Sequence, residues 1–80
     1  MSHVASDKPD NLIKMANQIG SFFETMPNRD QAQIDIAKHL KQFWALRMRV
    51  ALMKYVDQHD GAELMTIVLE TLRSRREAIL

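Results

Sequence analysis

The apolar residues of this 80-residue chain recur at helical spacing, and strong turn signals interrupt the pattern at two places. Pro27-Asn28 is the first interruption and His59-Asp60-Gly61 is the second. Proline, glycine and short polar residues of this kind favour turns. No stretch alternates between apolar and polar residues as a half-buried strand does. The sequence therefore predicts an all-α fold, a small bundle of three to four helices.

The first predicted helix follows Pro9, where Asp10 or Asn11 can cap its N-terminus. Its apolar residues fit within an arc of roughly 120°, which is typical of a helix with one buried face. They are Leu12, Met15, Ala16, Ile19, Phe22, Phe23 and Met26. We expect this stripe to face the core and the helix to end at Pro27.

A second helix is predicted from Asn28, because Gln31 three residues later completes a pattern that resembles a capping box. Its apolar positions are Ala32, Ile36, Ala37, Leu40, Phe43 and Trp44. Beyond them the local sequence leaves two interpretations open. The helix either continues as one long helix through Leu46, Val50 and Met53, or it breaks near Ala45.

A last helix begins near Gly61 and ends in the basic run RSRR, which suits a helix C-terminus. Two sets of apolar positions are possible for it. One is Leu64, Ile67, Val68 and Leu72, and the other uses Met65 and Leu69. The predicted organisation is a disordered tail over residues 1–9, a helical domain over 10–76 and a frayed C-terminus over 77–80.

Composition excludes several kinds of site. With no cysteine, the chain forms no disulfide and holds no iron–sulfur cluster through thiolates. His3, His39 and His59 lie far apart and do not form a metal-ligand pattern. Gly20 and Gly61 belong to no phosphate-binding motif, and no nucleophile motif is present. We therefore predict no catalytic, cofactor-binding or metal residue, and no enzymatic activity.

Charge and hydropathy bear on partners and location. The net charge is +1, from 11 basic and 10 acidic residues, so no overall field attracts nucleic acid or anionic lipid. The first ten residues carry no hydrophobic segment of the secretory kind, and no apolar run approaches the roughly 18 residues of a membrane span. We expect a cytoplasmic protein. Since a domain of this size buries only about 60–65% of its unfolded surface, packing against a partner is an expected source of stability.

The segment from His39 to Arg49 is rich in tryptophan, methionine and arginine, the residue types enriched at protein interfaces. In one continuous helix Arg47 would lie in line with Leu40 and Phe43 and point a charge at the core. Because an unpaired buried charge is costly, either the helix breaks or the arginine meets an acceptor. The alternative interpretation is that Phe43 and Trp44 are core and Arg47 reaches outward to solvent.

Two stretches, MANQIGSFF and MPNRDQAQIDIAKHLKQFWALRMR, give the chain a family resemblance. Over about Asn11 to Leu72 it resembles the small delta subunit of cytoplasmic NAD-dependent formate dehydrogenases. Where that family usually has Asp-Pro, this chain has Ala45-Leu46. The family pattern therefore implies a helix boundary before Arg47. Near Thr66 the family often has a proline, so the start of the last helix is not fixed by the resemblance.

The resemblance implies a non-catalytic accessory subunit that supports assembly and stability of the complex. In that family the large subunit carries the molybdenum or tungsten cofactor and iron–sulfur clusters, while other subunits hold flavin (FMN) and pass electrons to NAD. The implied partners are the other subunits, with the large catalytic subunit as the expected contact, and neither nucleic acid nor a membrane. Two alternatives remain. One is a small DNA-binding regulator using the arginines Arg47, Arg49, Arg73, Arg75 and Arg76, and the other is a transient cofactor-insertion chaperone.

The first helix also contains a glycine, although alanine at Gly20 would favour the helix by up to about 1 kcal/mol. With Leu12 and Ile19 at the centre of the buried stripe, Asn17 lies nearly opposite, and Ile13 and Gly20 lie beside it on the same second face. A glycine admits another backbone and an amide can pair with main-chain groups, so we hypothesise that this face docks a partner. The predicted partner-binding residues are Asn17, Gln18, Gly20, Phe43, Trp44, Arg47, Met48 and Arg49.

Overall fold

The computed structural model describes residues 9–80, which form five α-helices and no strand. The helices are α1 (Asp10–Phe23), α2 (Arg29–Phe43), α3 (Leu46–His59), α4 (Thr66–Ser74) and α5 (Arg76–Ile79). Helix α2 contacts all four of the others, so the core forms around it. The all-α prediction is confirmed, with four longer helices and a single-turn fifth. The predicted disordered tail, Pro9 apart, lies outside the described residues. None of the helices within 9–80 is long and apolar enough to cross a membrane.

The start of α2 and the end of α3 follow the sequence signals. Asn28 caps α2, because its side-chain oxygen accepts a hydrogen bond from the Gln31 N–H at 2.9 Å. Helix α3 stops where Asp60 and Gly61 both take positive φ angles, 64° and 67°. Glycine adopts this left-handed conformation without the penalty that a side chain brings. The sharp turn then leads the chain towards α4.

Helices α2 and α3 are separate, which settles the open alternative at Ala45 in favour of a break. Trp44 (φ −94°, ψ 138°) and Ala45 (φ −60°, ψ 149°) are both extended, and α3 begins at Leu46 without a side-chain cap. The break turns Trp44 into the core, where it is 6% exposed, and leaves Arg47 exposed. No charge is therefore directed inward at this position.

The buried face of α1 differs from the predicted stripe. Its buried residues are Ile13, Ala16 and Gly20. Met15 is 37% exposed and Phe22 is 72% exposed, so their predicted place in the core is wrong. The other predicted stripe residues, Leu12, Ile19, Phe23 and Met26, are half-buried at its edge. Small residues let a neighbouring helix approach closely, and this contact sets the rotation of α1 more than the side chains' hydrophobicity does.

The C-terminal end is packed and not frayed, so the prediction for residues 77–80 is wrong. Ile79 is fully buried, and the Ile79 carbonyl accepts a hydrogen bond from Arg49 Nη1. Lys41 Nζ donates to the Leu80 carbonyl at 3.0 Å. On the α4 side, the first predicted set of apolar residues is the buried one: Leu64, Ile67, Val68 and Leu72. Met65 and Leu69 are half-buried beside it.

Candidate docking surface

Residues 9–80 contain no group of three histidine, aspartate or glutamate side chains placed to hold a metal ion. A hollow of about 510 Å³ lies between α2 and α5. Alkyl, lysine, glutamine and arginine side chains line it: Ile34, Ala37, Lys38, Lys41, Gln42, Arg75 and Ala78. The lining includes no hydroxyl, imidazole or carboxylate side chain.

Asn17 pairs with main-chain groups, but they belong to its own chain. Its Nδ2 donates to the Glu63 carbonyl at 3.0 Å, and its Oδ1 accepts from the Met65 N–H at 2.9 Å. Both partners lie in the segment just before α4, where Met65 is extended. The amide therefore fixes α1 to the entry of α4, as a strand neighbour would. Both hydrogen bonds of Asn17 are thus internal, and its predicted role in partner docking stays a prediction.

Gly20 faces α4 and not a partner. A Cβ built on Gly20 would lie 2.4 Å from Val68 Cγ2 and 3.4 Å from Met65 Sδ. Val68 is fully buried and β-branched, so it has little room to give way. The predicted close approach at this glycine is real, but α4 makes it. The contacts of Asn17 and Gly20 that the structure describes are therefore internal, and docking of a partner through this face of α1 stays a prediction.

The segment around the α2–α3 break divides into internal and exposed residues. Arg49 Nε donates to the Trp44 carbonyl at 3.1 Å, and Arg49 Nη1 donates to the Ile79 carbonyl. This guanidinium links the end of α2 to α5. Trp44 is core and Met48 is half-buried against it, so these residues and Arg49 serve the fold.

The members of the predicted partner-binding set that remain exposed are Gln18, Phe43 and Arg47.

Four rings, from the ends of α1 and α2, form a row that sequence reasoning missed. The ring centroids of Phe22 and Phe23 are 5.0 Å apart, those of Phe23 and His39 are 6.2 Å apart, and those of His39 and Phe43 are 4.8 Å apart. The two ends of this aromatic row are open to solvent, since Phe22 is 72% exposed and Phe43 is 66% exposed. Large exposed aromatics of this kind are typical of interaction sites. The i, i+4 spacing of His39 and Phe43 indicates that these two rings are neighbours on α2. The sequence gives no local signal that the rings of α1 continue the row.

A second apolar edge lies on α3, just past the break. Leu46 is 56% exposed and Val50 is 46% exposed, one helical turn apart, with Arg47 exposed between them. Apolar residues with an adjacent arginine fit the composition of protein interfaces. We call Leu46, Arg47 and Val50 the α3 edge.

Arg76 on α5, one of the arginines considered for DNA binding, forms an ion pair with Asp57 on α3. Arg76 Nη1 donates to Asp57 Oδ1 at 3.0 Å and Arg76 Nη2 donates to Asp57 Oδ2 at 2.7 Å. These hydrogen bonds hold the pKa of the Asp57 carboxyl below its ordinary value of 3.8. The two-pronged geometry is the favourable one for arginine and carboxylate.

The other arginines considered for DNA binding are mostly engaged as well. Arg75 pairs with Asp30, and Arg73 Nη2 donates to the Asp60 carbonyl at 3.3 Å. Together with the internal contacts of Arg49, these leave Arg47 as the one arginine of that set without a hydrogen bond or ion pair to residues 9–80. A nucleic-acid surface needs clustered free cations, and this arrangement offers none around Arg47.

Comparison with known proteins agrees with the resemblance drawn from the sequence. The family described as the NADH-dependent formate dehydrogenase delta subunit, FdsD, matches residues 11–72. Searches of curated proteins and of solved structures gave no significant match. The matched region covers α1, α2, α3 and most of α4, and includes both Asn17 and the aromatic row.

Proposed function

Because the chain belongs to the family of NADH-dependent formate dehydrogenase delta subunits, we propose that it is a non-catalytic accessory subunit that supports assembly and stability of that complex. The other subunits of the enzyme are its partners. The large catalytic subunit is the partner proposed to bind the aromatic row and the α3 edge. In this proposal the molybdenum or tungsten cofactor, the iron–sulfur clusters, FMN and NAD are held by those subunits. The complex acts in the cytoplasm.

The observation that carries the proposal is apolar surface left uncovered on a well-packed chain. The aromatic row ends in two largely exposed phenylalanines, and the α3 edge adds two exposed aliphatic side chains: Phe22, Phe43, Leu46 and Val50. Fully burying a phenylalanine is worth about 1.5–3 kcal/mol. Covering both rings would therefore contribute several kcal/mol to association. Holding subunits together is a function that this surface can perform without any reactive group.

The test is assembly of the enzyme from co-produced subunits with and without this chain. A double variant, Phe22→Ser with Phe43→Ser, should fail to co-purify with the other subunits and should leave the complex as poorly assembled as omission of the chain does. Size-exclusion chromatography and formate-dependent NAD reduction measure both effects. Because both rings are exposed, the free variant should unfold at nearly the same temperature as the native chain.

The matched control is Ala62→Ser, an exposed position in the α3–α4 connection, which should assemble normally. Retention of the double variant at native levels would contradict docking through the aromatic row. Normal assembly and stability of an enzyme that lacks the chain altogether would contradict the proposed function itself.

A further inference from the structure

A groove lies between α2 and α5. Its volume is about 510 Å³, and three of the residues that line it are apolar: Ile34, Ala37 and Ala78. Two of these are alanines, so the groove has room for an incoming side chain. Hollows of this size are large enough to enclose a substantial apolar group.

Three cationic side chains also line the groove: Lys38, Lys41 and Arg75. Asp30 pairs with Arg75 and so offsets one of these three charges. Lys38 is exposed and makes no hydrogen bond or ion pair with any residue from 9 to 80. Lys41 Nζ donates to the main-chain oxygen of Leu80 at 3.0 Å. Lys38 is therefore the cation of the groove that is left without a partner among residues 9–80.

Arg75 has unused capacity as a donor. Its Nε is buried and has no acceptor among the described residues, although another nitrogen of the same guanidinium pairs with Asp30. Buried N–H groups without an acceptor are rare and costly. A carboxylate in the groove could accept from Arg75 after a small change of rotamer.

We propose that this groove binds an acidic segment of a partner subunit, with one apolar side chain between α2 and α5 and a carboxylate against Lys38. The inference rests on the proposed function and names the chemistry of a second contact. A nucleic acid would match the charge but not the apolar lining, whereas an acidic peptide with an apolar anchor matches both. Two separated contacts on one small chain let it bridge two regions of a larger assembly.

Photo-crosslinking in the purified complex locates what lies in the groove. Gln42 lines the groove and is followed in sequence by Phe43 of the aromatic row, so the two positions form a matched pair. With benzoylphenylalanine in place of Gln42, mass spectrometry should find a crosslink to a partner peptide rich in aspartate or glutamate with an apolar residue. The same group in place of Phe43 should crosslink to a different peptide.

Charge reversal gives the energetic test. Lys38→Glu should weaken binding to the other subunits by about tenfold or more at low salt, and by less at high salt. Lys38→Arg should bind as the native chain does, as should Lys54→Glu, which reverses an exposed lysine on α3.

Normal binding of Lys38→Glu would overturn the inference. So would a crosslink from benzoylphenylalanine at position 42 to a basic or neutral peptide or to nucleic acid. No crosslink from position 42, when position 43 does crosslink, would overturn it as well. Absence of crosslinks from both positions would instead overturn the proposed function.

Discussion

Replacing Gly20 with alanine tests the closest helix contact in the molecule. Helix propensity alone favours alanine by about 1 kcal/mol in a helix interior. Packing opposes it, because the new Cβ would lie 2.4 Å from Val68 Cγ2, well inside van der Waals contact. Overpacking of a well-packed core costs about 1–3 kcal/mol. Since Val68 is fully buried and stiff, the upper part of that range applies, and the net destabilisation should be about 1–2 kcal/mol.

The assay is thermal unfolding of the isolated chain, followed by circular dichroism. For a domain of this length each kcal/mol shifts Tm by roughly 4–8 °C, so Gly20→Ala should lower Tm by about 4–16 °C. Ser21→Ala is the control, because Ser21 is the exposed neighbour in the same helix and should gain a few tenths of a kcal/mol. A Tm for Gly20→Ala that is unchanged or raised would refute the α1–α4 contact at this glycine.

Three further predictions concern contacts between helices. Asn17→Ala should destabilise the chain by about 1–3 kcal/mol, because two hydrogen bonds to the entry of α4 are lost. Chemical denaturation measures this loss. Asn17→Asp should recover part of the lost stability, because it keeps the acceptor for the Met65 N–H. Arg49→Met should release α5, seen as faster amide exchange at Ile79 while α1 stays protected. Because the pKa of Asp57 is lowered in the folded state, its ion pair with Arg76 stabilises the fold above about pH 3.8. This stabilisation is lost as the pH falls through the lower folded-state pKa. Arg76→Gln should return the Asp57 carboxyl pKa, measured by NMR titration, towards 3.8.

Local signals in the sequence were sufficient for the start of α2 and the end of α3. They were not sufficient for α1, which has Pro9 at its N-cap position, no side-chain cap, and its end at Phe23, before Pro27. The Asn28 cap and the Asp60-Gly61 turn act through neighbouring residues, so a short window of sequence contains their cause. For α4 the local spacing allowed two sets of apolar positions, and packing against the other helices buried the first of them. At Ala45 local propensity was indifferent, and the family resemblance supplied the boundary that Asp-Pro would otherwise have marked.

The candidate site was less predictable, because its contacts join residues far apart in the chain. The partners of Asn17 lie 46 and 48 residues away, and the choice between an internal and an external partner has no local signal. The face of α1 was misjudged for a related reason. Periodicity placed Phe22 and Met15 within the buried stripe, whereas helix packing was decided by the smaller Ala16 and Gly20. The exposure of Phe22 is therefore a result of tertiary packing.

The central claim is that this chain is a resident subunit of a formate dehydrogenase. Native mass spectrometry of the enzyme purified from its own cells tests it most directly. The account predicts that the mature, active complex contains this 9.3 kDa chain in a fixed ratio to the large subunit. An active complex without the chain, or the chain found only on immature subunits that lack their cofactors, would contradict it.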